Sequence, residues 1–144
     1  MSPAKHAGFE LDNRLENASR SVLWLGLCEL RLHRDARWPW VLLIPQRPRI
    51  AEIHDLTPLD QAMLTFEMNM VSKSLKTVTG CEKINIGALG NVVPQLHIHV
   101  VARASGDANW PDPVWGLDGL VPYKEEEYLY LASKLRDDLL TATP

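Results

Sequence analysis

The run Gln95-Leu96-His97-Ile98-His99-Val100-Val101-Ala102-Arg103 constrains the fold more than any other feature of the chain. Successive side chains on a strand point to opposite faces, so Gln95, His97, His99 and Val101 share one face while Leu96, Ile98 and Val100 share the other. The apolar set needs a covered core. Two imidazoles and an amide are therefore expected together on the opposite face, with neighbouring positions about 7 Å apart. Arg103, which ends the run, is assigned to the face away from the histidines and out of reach of a ligand there. Two histidines so placed suit phosphoryl chemistry, one as nucleophile and one as hydrogen-bond donor, or they suit a shared metal.

The rest of the chain supplies elements to cover that strand. Residues 10–19 mix Leu11 and Leu15 with charge at helical spacing, which predicts a short helix. Residues 21–32 read as one strand, with Glu29 and Arg31 on a wet face. A turn at 33–37 leads into Trp40-Val41-Leu42-Leu43-Ile44, a buried strand stopped by Pro45. Thr57, Pro58 and Asp60 form a helix start: a capping hydroxyl, a proline in the first turn and an early acid. Leu59, Met63, Phe66, Met70 and Leu75 then mark the expected core stripe of a long helix ending near Gly80. Another strand at 82–86 breaks at Gly87 and Gly90, and a closing helix spans 125–140. This order predicts an α+β domain, an antiparallel sheet with helices on one face and the other face free to carry a site.

At 144 residues, with 46% hydrophobic and 23% charged content, the chain fits one domain spanning 1–144. The two cysteines, Cys28 and Cys81, form neither a disulfide framework nor a ligand spacing, which predicts a reducing cytoplasm. No membrane span is expected, because the longest apolar run is far too short. The net charge of −3 argues against a nucleic-acid partner held by phosphate neutralisation. Eight acids against three bases fall within 107–138, which leaves the remainder slightly basic and tolerant of a small anion. Among the other histidines, His54 and His33 are expected as solvated turn residues. Trp38, Trp110 and Trp115 are expected to pack or to seal an interface.

Upstream of the histidine strand, Asn85-Ile86-Gly87-Ala88-Leu89-Gly90-Asn91 ends a strand in a loop whose glycines permit close backbone approach and whose amides suit phosphate or ribose oxygens. Together with that strand, with Leu42-Leu43-Ile44-Pro45 and with the Thr57-Pro58 helix start, this loop resembles the histidine triad family of nucleotide hydrolases and transferases. The resemblance covers about residues 20–104, and the segment Asp35 to Trp40 with Trp110 to Gly116 resembles a bacterial branch. It implies that His97 is the nucleophile, forming a nucleotidyl-histidine intermediate, and that His99 donates a hydrogen bond to the phosphate. It implies substrate contacts by Asn85, Asn91 and Gln95, and by Asp35 near the ribose.

Gln95 departs from the family, standing where the first histidine is expected, and Trp40 stands where many members carry a further histidine. Glutamine keeps a donor and an acceptor but cannot titrate. The resemblance further implies a small-molecule nucleotide as partner, dinucleoside polyphosphates or nucleoside phosphoramidates as substrates, and a homodimer. It implies no resident cofactor or metal, although magnesium can accompany a polyphosphate. The alternatives are a nucleotide binder without turnover, and a His97/His99 metal site completed by His54 or His33.

Overall fold

The computed structural model describes residues 8–142. A short helix α1 (Asn13–Ala18) leads into β1 (Ser19–Trp24), β2 (Cys28–His33) and β3 (Trp40–Pro45). The long helix α2 (Pro58–Thr79) follows, then β4 (Lys83–Gly87), β5 (Ile98–Arg103) and α3 (Glu125–Thr141). The five strands form one antiparallel sheet in the order β1-β2-β3-β5-β4. No helix among the described residues is long and apolar enough to cross a membrane.

On one face, Leu30, Leu32, Val41, Leu43, Ile98 and Val100 meet Leu64, Val71 and Leu75 of α2 and Leu135 and Leu139 of α3. Burial of each such side chain stabilises the fold by about 1.5–3 kcal/mol. Helix α2 begins as its sequence dictates. Thr57 accepts the Asp60 N–H at 3.2 Å, Pro58 occupies the first turn, and Gly80 (φ 67°) closes the helix with its N–H on Lys76 O.

The face that α2 presents differs from the expected one. Leu59, Met63 and Phe66 are exposed, and the buried positions are Leu64, Glu67, Val71, Ser74 and Leu75. The reason is Glu67. Residues 21–32 are not one strand but the β1–β2 hairpin, in which Leu25 N–H bonds Cys28 O, and the N–H groups of Leu27 and Cys28 lie buried in the turn. Both donate to the Glu67 carboxylate at 2.8 Å, which rotates the helix to bring an acid rather than Phe66 inward.

Helices α2 and α3 share that face, as expected, but the short α1 lies on the opposite face, which is therefore not wholly free. A second cluster of Phe9, Leu15, Trp38, Trp40, Leu42, Ile44, Val93, Val101 and Val114 covers much of it, with α1 contributing Leu15. The expected wet face of β2 is buried beneath α1. Arg31 bonds Glu29 at 3.0 Å, Ser19 Oγ and Ser19 O at 2.8 Å each, and Glu16 O, while Ser19 Oγ donates to Leu15 O. This network clamps α1 against the sheet beside the histidines.

Candidate active site

Strand β5 starts at Ile98, later than expected, and His97 immediately precedes it. Both imidazoles nonetheless line one cavity of about 380 Å³, with ring centroids 4.9 Å apart. Its walls come from the sheet (His33, Trp40, Leu42), from α1 (Leu15, Ala18), from the loop 89–93 and from Trp115. Close approach at Gly87 makes room for that last ring, because a Cβ there would stand 3.1 Å from Trp115.

Hydrogen bonds fix the tautomer of each imidazole. His97 Nδ1 lies 2.7 Å from Gln95 O; a carbonyl can only accept, so Nδ1 carries the proton and Nε2 holds the lone pair. His99 has the opposite arrangement. Trp40 Nε1–H donates to its Nδ1 at 3.0 Å, leaving the proton on Nε2. The Asp35 N–H likewise donates to His33 Nδ1 at 3.1 Å, so His33 also carries its proton on Nε2. The cavity thus holds one imidazole with a free lone pair at Nε2 and two that present an N–H.

Burial, followed by the neighbouring His97 and His33, pushes the His99 pKa down to about 3. Burial also lowers His33, to about 4, with Asp35 opposing and Arg37 reinforcing the shift. Both are neutral donors at neutral pH. Because their native pKa values lie below the ordinary 6.5, the unfolded chain binds more protons as pH falls from 6.5 towards 4. Their contribution to stability is full above pH 6.5 and declines through that window. Urea titrations should show the midpoint falling between pH 7 and 5, with a shallower slope in His99→Gln.

The remaining expected site residues divide. Asn91 lines the cavity. Gln95 contributes its backbone carbonyl to His97, while its side chain accepts from Asp12 N–H and donates to Glu10 O, tying the segment before α1 to the site. Asn85 Oδ1 accepts from Arg103, outside the cavity. Arg103 itself lies on the histidine face, as counting in twos from His97 requires, and is buried by Asp107, Asn85 and the Trp110 ring. Asp35 is buried and is not among the residues lining the cavity, its carboxylate held by Arg37 and the Val121 N–H.

His33 is a cavity wall rather than a solvated turn residue. Its ring stacks on Trp40 with centroids 4.0 Å apart, because the β2–β3 register puts Leu32 opposite Val41 and so His33 beside Trp40. Arg14, at the cavity mouth and paired with Asp12, was also missed by the sequence reading; its place follows from the clamp on α1. His54 is solvent-exposed, as expected. Among the described residues no cluster of three or more His, Cys, Asp or Glu is arranged to hold a metal.

Trp40 acts on the site through His99. Trp40→Phe keeps an aromatic ring against His33 but removes the N–H that sets the His99 tautomer. We expect kcat to fall about 10–100-fold with a smaller change in KM. Long-range ¹H–¹⁵N correlation should show His99 changing tautomer in this variant, which loss of packing alone would not produce.

Among solved structures, histidine triad proteins share the fold. One from Sinorhizobium meliloti is 56% identical, with a TM-score of 0.89 over 90% of this chain and 96% of that one. Another from Bradyrhizobium japonicum is 42% identical, with a TM-score of 0.90 over 92% and 98%. A third from Marinobacter aquaeolei is 39% identical, with a TM-score of 0.90 over 95% and 100%. Two curated relatives match more narrowly. An AP-4-A phosphorylase of Mycobacterium tuberculosis is 34% identical over 76 residues, 49% of this chain and 38% of its own length. An asymmetrical bis(5'-nucleosyl)-tetraphosphatase of Schizosaccharomyces pombe is 31% identical over 80 residues, 52% and 43%. In both cases the match spans under half of the relative. The HIT domain model matches residues 14–106, from α1 to just beyond β5, and the chain belongs to the histidine triad (HIT) domain family.

Proposed function

We propose that this chain is a nucleotide-phosphate hydrolase or nucleotidyl transferase that works through Nε2 of His97 on a dinucleoside polyphosphate or a nucleoside phosphoramidate. The observation that carries the reading is the opposed pair of tautomers: Gln95 O holds the proton of His97 on Nδ1, and Trp40 holds that of His99 on Nε2. A nucleophile and an oxyanion donor therefore stand side by side before substrate arrives. The partly matching relatives named for dinucleoside tetraphosphate chemistry support the substrate class.

In the first step the Nε2 lone pair forms a bond to the α-phosphorus, and the bond to the leaving group breaks with its electron pair. The imidazole becomes cationic, and its Nδ1–H bond to Gln95 O strengthens. His99 Nε2–H donates to a non-bridging oxygen as negative charge gathers there. Water or another acceptor then attacks phosphorus, the N–P bond returns its electrons to Nε2, and the attacking group releases its proton to solvent. Magnesium would arrive with a polyphosphate rather than reside in the protein.

Two displacements preserve configuration at phosphorus. A substrate with a chiral α-phosphorothioate, hydrolysed in ¹⁸O-labelled water, should give product with retained configuration; inversion would mean direct attack by water. The proposal also includes the homodimer implied by the resemblance, which sedimentation equilibrium tests as twice the chain mass.

A further inference from the structure

A second cavity of about 220 Å³ meets the first at His97, Leu89 and Gly90. It lies between the turn 51–54 and the loop 88–90, and its lining differs in kind from the first. The larger cavity is walled by Leu15, Leu42, Trp40 and Trp115, surfaces that suit a base and a sugar. The smaller one carries Glu52 and His54, and among the described residues no lysine or arginine lines it. Asp55 stands outside that lining, its carboxylate 3.8 Å from His54 and its pKa held down by hydrogen bonds from the backbone of Glu52 and Ala51.

A phosphorus at His97 Nε2 sits where the two cavities join. With the nucleoside in the apolar cavity, the group on the far side of phosphorus extends into the other. The leaving half of a dinucleoside polyphosphate would bring several negative charges beside Glu52, with no guanidinium or ammonium among the described lining residues to receive them. An amine carries no such penalty, and one bearing a distant ammonium gains from the Glu52 carboxylate.

Resting on the phosphoryl-transfer reading above, we propose that the cleft between the turn 51–54 and the loop 88–90 is the leaving-group subsite, and that Glu52 and His54 make it select an amine over a polyphosphate. The reaction is then cleavage of a P–N bond. Nε2 bonds to phosphorus, the P–N bond breaks with its electrons on nitrogen, and the departing amine takes a proton from water in the open cleft. Water later replaces Nε2 on phosphorus and releases a proton, so the overall reaction is hydrolysis of the phosphoramidate to nucleotide and amine.

The test uses the full chain and two substrates with the same nucleotide: adenosine 5'-phosphate joined through nitrogen to 1,2-diaminoethane, and diadenosine tetraphosphate with magnesium. The wild type should favour the phosphoramidate by at least about tenfold in kcat/KM. Glu52→Lys, on an exposed turn and so compatible with folding, should narrow that preference about tenfold, mostly through KM and less at high salt. His54→Gln should alter KM for the amine substrate more than for the tetraphosphate. Equal use of both substrates by the wild type, or a ratio unmoved by Glu52→Lys, overturns the subsite alone. Failure of the wild type to turn over either substrate overturns the phosphoryl-transfer reading and the subsite with it.

Discussion

His97→Ala is expected to lower kcat/KM about 10⁴-fold, equivalent to about 5.5 kcal/mol of transition-state stabilisation, with the fold unchanged. The size follows from what is removed. The other two imidazoles present an N–H, not a lone pair, so neither substitutes as nucleophile: His99 is held by Trp40 and His33 by the Asp35 amide. Residual turnover would come from oriented donors acting on direct attack by water. Steady-state assays with either substrate class measure the loss, and a fall of less than tenfold would remove His97 from the nucleophile's role.

The second large effect concerns stability, far from the chemistry. Glu67→Ala leaves the Leu27 and Cys28 N–H groups without their acceptor in a buried turn, and each such donor costs about 1–3 kcal/mol. We expect a loss of about 3–5 kcal/mol in urea denaturation. Glu67→Gln should not restore the wild-type value, since its amide nitrogen would face one of the two N–H donors. Cys28 offers an independent readout. Burial first, and the Glu67 charge second, push its thiol pKa far up, so it should resist alkylation until the hairpin opens. Alkylation of the Glu67→Ala chain should be faster by about tenfold for each 1.4 kcal/mol of stability lost.

That same glutamate shows where sequence reading stopped. Two stripes on α2 have helical spacing, one through Leu59, Met63 and Phe66 and one through Leu64, Val71 and Leu75. Hydrophobicity does not separate them, and of the expected stripe Leu59, Met63, Phe66, Met70 and Leu75 only the last is fully buried. The choice was made by unpaired backbone donors forty residues away, which a local pattern cannot reveal. Glu29 and Arg31 misled for the same reason: they are charged, yet α1 covers them once Ser19 and Glu16 complete the network. Features set within one element were readable, including the cap at Thr57, the stop at Gly80 and the shared face of His97 and His99.

The site itself was half readable. Alternation brought His97 and His99 together and, followed two residues past Val101, would have put Arg103 on their face. His33 and Trp40 needed strand pairing, but pairing β2 with β3 outward from the 34–39 turn brings them side by side, so a signal existed. Asp35 and Asn85 were given roles by resemblance. The salt bridge with Arg37 and the hydrogen bond from Arg103 are tertiary facts that no motif states. Gln95 is instructive in another way. The group that orients His97 is its carbonyl, which every residue type possesses, so a residue other than histidine there leaves the His97 tautomer intact. Its amide serves instead to hold the chain at Glu10 and Asp12.

The measurement that bears most directly on the central claim is capture of the intermediate. The full chain is mixed with a substrate labelled at the α-phosphorus, quenched with denaturant at alkaline pH within one turnover, digested and mapped by mass spectrometry. A nucleotidyl group on the peptide containing His97, bonded at Nε2 and absent from His97→Ala, is the predicted result. Turnover proceeding at the wild-type rate with no labelled protein at any time point, or with the label on His99 or His33, would contradict it.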